Sequence, residues 1–511
     1  MSYARVFSIA ELFREICWHL NRNSKHSLAN LAQTCRSSLE PALDVLWYKM
    51  LGTEPLLKLI PALEVSYIEI DYRPLVSYYE TPYPLEEEHW SRFDYYARRI
   101  RILEFDHNGD IDCDIYSRLS QHTTSPNLIP SLRSFIWVHK SPYKSFASFT
   151  AEVSPFFTPS LQTIYIRNYC RDSDNTDDPE DTFVDAAIQS EEEETLRDFF
   201  HMLPRRCPAV ESLTIGADLH DVSFGFLAKL QSLRVVSLRG LSTEGLSTAL
   251  EALSVLPRLE KIDDFELLGG PGVVSCTPGF ASSSDIFTSY GNPTTLLAIL
   301  RCLSSPFLLS FSSICLTGGS NQDFLSCASL LVSKFSTTLQ RVMIDSILDY
   351  PVETVGQPIF EILSQGLPNL RTFQLILTSE HIDHSEWPTL TDDQVERMTL
   401  SWPNMKDLTI QHSISLQSLK TITRAWPNLT LLKFSTLYIR TPDLQFPYKP
   451  HALRKLSVSK FRHSDPAAST DDIARIIHAM FPRLEIGLLA MVSCDVMGGV
   501  VSLQSDSAET L

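Results

Sequence analysis

The sequence contains no Cys-x-x-Cys pair; its ten cysteines stand singly between Cys17 and Cys494. That excludes a zinc ribbon and a thioredoxin-like redox site, and it reads as reduced thiols in an intracellular protein. No stretch reaches the ~18 apolar residues of a membrane helix. The nearest, residues 486–501, is interrupted by Asp495. Glu11, Arg14 and Glu15 stand where a secretory signal would need an uncharged run. There is no basic tail, and the net charge of −18 argues against a nucleic-acid backbone as partner. The expectation is a cytoplasmic and/or nuclear chain that engages neither nucleic acid nor membrane.

Catalytic constellations are equally scarce. Gly269, Gly270, Pro271 and Gly272 do not make a phosphate loop, since no Gly-Lys-Ser/Thr follows and Pro271 has no N–H to donate. No Gly-x-Ser-x-Gly elbow occurs. His381 and His384 lack a third ligand and precede Trp387-Pro388, so they read as a polar loop. Asp106, Asp110, Asp112 and Asp114 do not match the calcium loop, which needs a glycine and a closing glutamate at fixed places. The expectation is a non-catalytic protein without metal or cofactor.

What the chain does have is one recurring phrase: an apolar residue, two variable ones, an apolar residue, one variable, a third apolar residue. Val65, Ile68 and Ile70 spell it first. Leu132, Phe135 and Trp137 repeat it, as do Val210, Leu213 and Ile215, and Phe311, Ile314 and Leu316. The most regular copies are Leu370, Phe373 and Leu375; Met405, Leu408 and Ile410; and Leu453, Leu456 and Val458. The last two positions alternate as in a strand with one buried face. An apolar-periodic run ending in proline precedes many copies, as at Pro368, Pro403 and Pro427. Proline removes a donor and turns the preceding residue from helical geometry, so each unit reads helix, stop, short strand. Residues 395–400 and 419–425 are expected to be two such helices.

A single unit cannot bury its own apolar face, so units must stack. The phrase resembles a degenerate leucine-rich repeat, which implies a solenoid with a parallel sheet on one face and helices on the other. Unrelated βα units in one parallel-sheet domain are the alternative. Leu259, Ile262 and Asp264 break the phrase with acid at its third place. Residues 171–194 are acidic and read as a solvated insertion, or as a lure for a basic partner. Residues 269–293 are rich in Gly, Ser and Pro and read as a long loop. Residues 491–511 form a C-terminal tail, and the part after Gly499 reads as polar and disordered.

The densest amphipathic segment is the N-terminus, residues 6–50. Ile9, Leu12, Ile16 and Leu20 recur at helical spacing, with Ser8 and Glu11 placed as a capping box. Residues 21–27 are polar and should end this helix. A second helix follows with Leu28, Leu31, Ala32 and Cys35 on one face, and Pro41 opens a third group of Leu43, Leu46 and Trp47. About 45 residues is close to the lower limit for independent folding, so the segment wants a partner surface or caps the next domain. Tyr67, Tyr72, Tyr78, Tyr79, Tyr83, Trp90, Tyr95 and Tyr96 crowd the junction that follows. They serve either as interface anchors or as the weld between two domains, and the weld is favoured.

The order Ile9-Ala10-Glu11-Leu12, Ile16, Leu20, Leu28, Leu31-Ala32, Cys35-Arg36, Pro41, Leu46-Trp47 resembles an F-box. Ala10 stands where that family usually has proline, and Ser37-Ser38 replaces a common tryptophan. The resemblance implies a helical module that docks on the adaptor Skp1, and through it on a cullin. It points to Ile9, Leu12, Ile16, Leu20, Leu28, Leu31 and Trp47 as the contact residues. The fold class expected is α/β: an F-box-like helical module over 1–55, then a leucine-rich-repeat-like solenoid over 56–490. The function expected is a substrate receptor of an SCF-type ubiquitin ligase that holds an unknown protein target on its repeats. The alternative is a repeat scaffold that does not engage Skp1.

Overall fold

The computed structural model describes residues 10–61, 63–68, 76–80, 87–107, 114–122, 127–139, 150, 152–168, 186–219, 222–267, 278–317, 320–348, 353–379, 389–440, 450–463, 470–485, 496 and 500. The chain is α/β and forms two compact units, Met1–Leu259 and Glu260–Leu511.

The first unit opens with three helices, α1 (Ala10–Asn23), α2 (Lys25–Thr34) and α3 (Arg36–Leu46). Strand β1 (Lys49–Leu51), a short α4 (Glu54–Leu57), the hairpin β2 (Glu64–Ile68) and β3 (Val76–Glu80), and α5 (Glu87–Ala97) follow. Then come β4 (Ile102–His107), α6 (Asp114–His122), β5 (Ser134–His139), β6 (Thr163–Asn168), α7 (Ala186–Arg206), β7 (Ser212–Leu219), β8 (Val235–Leu241) and α8 (Thr243–Ser254). The strands pair in parallel in the order β1-β4-β5-β6-β7-β8.

The second unit runs β9 (Lys261–Leu267), β10 (Asp285–Gly291), α9 (Pro293–Cys302), β11 (Ser310–Thr317), α10 (Asn321–Phe335), β12 (Arg341–Leu348), α11 (Glu353–Gly366) and β13 (Thr372–Ser379). It continues through α12 (Asp392–Ser401), β14 (Asp407–Ile410), β15 (Ile414–Ser415), α13 (Leu416–Ala425), β16 (Leu431–Ile439), β17 (Lys455–His463) and α14 (Thr470–Met480). Its strands are also parallel, in sequence order from β9 to β14, then β16, which pairs both β15 and β17. The two helices expected at residues 395–400 and 419–425 lie within α12 and α13.

The recurring phrase marks the inward side of each strand. Register aligns Phe135, Ile164, Leu213 and Val236 as one row and Trp137, Ile166, Ile215 and Leu238 as the next, all without exposed surface. Main-chain bonds lock the start of each strand. The carbonyl of Arg101 accepts from both Arg133 N (2.8 Å) and Ser134 N (2.9 Å). That of Arg371 does the same for Lys406 (2.7 Å) and Asp407 (3.0 Å). This forked acceptor satisfies two main-chain donors per repeat. Helix starts are capped too: Thr391 and Gln394 form a capping box on α12, and Ser415 accepts from Ser418 N (2.9 Å) on α13.

Several expectations are overturned. Residues 65–70 are not the first repeat, because β2 and β3 pair antiparallel. Only residues 69–75 connect them, too few for a parallel crossover, which needs a dozen or more. The first sheet strand is instead β1, with Met50 opposite Leu103, so the stretch assigned to the helical module already belongs to the sheet. Phe311 is not the first position of its phrase. It pairs with Val342, so Leu308 is first, Phe311 second and buried Ser313 third.

The stretch 269–293 is not all loop, since β10 and the N-cap Asn292 of α9 lie inside it. Its inward residues Ser283, Ile286 and Thr288 are mostly polar, which hid the strand. Pro41 lies inside α3 instead of opening it. Helix α7 takes in residues 186–194 of the acidic stretch, and residues 171–185 lie outside the described residues. In the tail, Val496 is buried, and so is Val500, which falls in the part expected to be disordered. Cys302 is disulfide-bonded, so the expectation of ten reduced thiols fails there. Cys17, Cys35, Cys207 and Cys327 are free, and burial pushes the Cys207 and Cys327 thiols up to about 12.

Candidate partner-binding surface

The three N-terminal helices form as their polar breaks dictate. Ser24 ends α1 and caps α2, its hydroxyl accepting from Ser27 N (3.3 Å). Their core is Phe13, Cys17, Leu28, Ala32, Ala42, Leu43 and Val45. Tyr95 and Tyr96, from α5, pack against that core beside Ile16, Leu31, Leu46 and Trp47. The module therefore completes itself on the element that leads into β4. Trp47 lies 4.5 Å from Tyr96 between ring centroids, and Trp18 lies 4.7 Å from Tyr48 in an edge-to-face pair. Of the eight aromatics at this junction, Tyr95 and Tyr96 act as the weld, while Trp90 is buried against Phe93 of its own helix; the side chains of the others lie outside the described residues.

A polar clamp holds the same seam. The Arg99 side chain is only 5% exposed and donates to Glu40 Oε2 (2.5 Å) and to Asp44 Oδ1. Tyr95 donates its hydroxyl proton to Glu40 Oε1 (2.6 Å), and the Arg99 guanidinium lies 4.5 Å over the Tyr95 ring. Burial pulls the Arg99 pKa down, but the Glu40 hydrogen bond and the Asp44 and Glu40 charges outweigh it and the net shift is upward. The bond from Tyr95, followed by that from Arg99, holds Glu40 below the usual carboxylate range. Arg14 adds a longer pair with Asp44 at 3.6 Å. These contacts give the module one fixed orientation on α5.

The seven residues singled out by resemblance separate into distinct environments. Leu28 has no exposed surface, so nothing docked on this conformation touches it. Ile16, Leu31 and Trp47 pack on the margin of the core and are half-buried. Leu20 is half-buried on α1. Leu12 is 47% exposed, a large apolar side chain turned outward. Ile9 lies outside the described residues. The outward edge of α1 is thus carried by Leu12 and flanked by Ile16 and Leu20, which follow it at four-residue steps.

The true buried face of α1 is centred on Phe13 and Cys17, which the sequence reading passed over. Their i, i+4 spacing was visible, but it competes with Leu12 and Ile16 one position away. The clamp residues were not legible at all, since Arg99 and its carboxylates are fifty-five and more positions apart. Cys35, expected on the apolar face of the second helix, is exposed at the junction of α2 and α3. Its thiol lies 3.1 Å from Ser37 Oγ and 3.3 Å from Ser38 Oγ, and these contacts bring it down to about 6.

Elsewhere, no group of three or more acidic, His or Cys side chains among the described residues is arranged to hold a metal. Asp106 is exposed at the end of β4 and Asp114 opens α6, while Asp110, Asp112, His381 and His384 lie outside the described residues. No helix among the described residues is long and apolar enough to cross a membrane. No protein-family model matches the chain, and no curated protein is detectably similar to it.

Proposed function

We propose that this chain is a non-catalytic substrate receptor of an SCF-type ubiquitin ligase, acting in the cytoplasm and/or nucleus. The helical module would bind Skp1, and through it a cullin, while the parallel repeats would hold a protein target. The observation that carries the reading is Leu12: an F-box-like helix turns a large apolar side chain to solvent while its opposite face is spent on its own core. The clamp through Arg99 supports it, because a receptor must pass a fixed orientation from adaptor to target. Tethering raises the effective concentration of the target near the ligase and needs no chemistry in this chain.

Co-purification of the full-length chain with Skp1 tests the proposal. The native chain is expected to retain Skp1, and Leu12→Asp to lose it without loss of helicity or thermal stability. Leu12 is the informative position because it is exposed; a charge at Ile16 would also disturb the core margin. Absence of Skp1 from the native chain would favour the second reading, a repeat scaffold, which the departures at Ala10 and Ser37-Ser38 motivate.

A further inference from the structure

Phe307 and Leu309 stand just before β11 with relative exposures of 63% and 43%. Single exposed apolar residues are ordinary, but these two are set apart by their place in the repeat. Leu309 supplies the forked carbonyl of its repeat, accepting from Gln340 N (2.8 Å) and Arg341 N (3.0 Å). Arg133, Gln162, Glu211, Gln340, Arg371 and Lys406 make the same fork in other repeats, and all are polar. Phe307 follows Pro306 and donates its N–H to Ser305 Oγ (3.1 Å). Asn369 and Asn404 stand at the matching place, after Pro368 and Pro403, and both are exposed. One repeat thus turns two large apolar groups to solvent where others turn polar ones.

The rungs that follow are basic. Main-chain bonds run from Leu309 to Gln340, then to Arg371 (2.7 Å) and to Lys406 (2.7 Å), so these positions lie side by side at the spacing of neighbouring strands, about 4.8 Å. Arg341, Arg371 and Lys406 are all exposed. The turns that carry them, residues 336–341, 366–372 and 401–407, contain no acid but Asp407. That carboxylate accepts from the hydroxyls of Thr372 (3.4 Å) and Thr430 (2.6 Å). On the other side of the apolar pair, Asp285 lies opposite Ser310. The rim therefore has a direction, acid first, then the apolar pair, then cations, in a chain of net charge −18.

We propose that this rim docks an extended acidic segment of a partner protein. A large apolar side chain at one end covers Phe307 and Leu309, and carboxylates follow over Arg341, Arg371 and Lys406. An extended chain advances about 3.3 Å per residue, so about five residues span the three strand spacings from Leu309 to Lys406. The apolar contact supplies affinity by desolvation, and the charges fix the direction of docking. The inference rests on the reading that the repeats hold a protein target, and not on the contact of the helical module with Skp1.

Biolayer interferometry of the full-length chain on the immobilised peptide Phe-Leu-Glu-Asp-Glu-Asp tests it. Saturable binding is expected, with Gly-Gly-Glu-Asp-Glu-Asp and Phe-Leu-Lys-Arg-Lys-Arg each bound at least tenfold more weakly. Phe307→Asn with Leu309→Lys installs the residues that another repeat has at the same places, Asn404 and Lys406. It is expected to lower affinity at least tenfold, with circular dichroism and thermal midpoint unchanged. Leu309→Lys alone provides the reading if the double variant loses structure. Arg341→Gln with Arg371→Gln is expected to weaken binding and flatten its dependence on salt. No saturable binding, equal binding of either control peptide, or full affinity in the folded variants would overturn the proposal. Self-association of the native chain in sedimentation, lost in Phe307→Asn with Leu309→Lys, would overturn it in favour of a second copy as the occupant. Skp1 retention by the same variants is expected to be unchanged, so failure at this rim and failure of the ligase reading are told apart.

Discussion

The two units use the same strand register with different side chains at its third inward position. In the first unit that row is Phe105, Trp137, Ile166, Ile215 and Leu238, all buried, with the Phe105 and Trp137 ring centroids 4.3 Å apart. In the second unit the row opens with Asp264, Thr288 and Ser313, two residues after the in-register Ile262, Ile286 and Phe311. Only from Ile344 onward does it turn apolar, with Leu375 and Ile410 following. The polar stretch is as buried as the apolar one: Asp264 is 4% exposed and Ser313 0%. Its hydrogen bonds run laterally, Thr288 donating to Ser313 Oγ (2.9 Å) and Ser289 to Asp264 Oδ1. The repeat is therefore held by main-chain register together with inward contacts that leave little surface exposed. Apolarity is one way to meet that condition and cross-strand pairing is another.

The largest test of this contrast is Trp137→Ala, which removes the widest ring of the apolar row. It is expected to destabilise by about 3–5 kcal/mol in urea unfolding, since it leaves a cavity among Phe105, Phe135 and Phe156. A loss below about 1 kcal/mol would mean that the first unit does not depend on its aromatic row.

A buried polar group of the second unit without a lateral partner gives the next effect. His412 is 5% exposed and packs 5.3 Å from Phe360, and neither ring nitrogen has a partner among the described residues. Burial alone lowers its pKa from 6.5 to about 4. The unfolded chain thus takes up the proton first. His412 contributes stability that is full above pH 6.5 and falls by up to about 3 kcal/mol as the pH drops toward 4. His412→Leu is expected to flatten that part of the stability profile measured by denaturant titration at successive pH values. An unchanged slope would show that the ring is hydrated in solution.

The paired polar row predicts a smaller, non-additive effect. Ser313→Val leaves the Thr288 hydroxyl with its bond broken and is expected to destabilise by about 1–3 kcal/mol. Adding Thr288→Val should bring stability back to within about 1 kcal/mol of the parent, because no orphaned donor remains. Additive losses in the double-mutant cycle would undo the account of lateral pairing.

The smallest expected change lies between two helices of the second unit. A methyl group on Gly366 would sit inside the Val332 side chain, 2.9 Å from its Cβ. Gly366→Ala therefore sets an overpacking penalty against the gain in helix propensity and is expected to destabilise by about 1 kcal/mol net. A stabilised variant would mean that α10 and α11 separate at little cost.

Much of the architecture was legible in the spacing of apolar residues. Leu132, Phe135 and Trp137, or Met405, Leu408 and Ile410, place a strand correctly because burial of one strand face requires alternation. Tryptophan-proline pairs located the ends of α12 and α13 for a backbone reason, the missing donor and the restricted preceding residue. The failures share a cause. Beta-1 has only three residues, too short for a pattern, and β10 and the start of β11 have serine and threonine inside. At the candidate surface, the apolar content of the first helices was clear, but Leu12 and Phe13 are neighbours and either could have faced the core.

The local order of residues is enough to specify that this chain repeats helix and strand, where most units start, and that its N-terminal helices are amphipathic. Those properties follow from steric and hydrophobic rules acting over a few neighbouring residues. The closure of Arg99 by Glu40 and Asp44, the lateral pairing of Thr288 with Ser313, and the outward turn of Leu12 follow from contacts between segments distant in sequence. A polar side chain is acceptable inside only when its partner arrives, and the fold brings the two together.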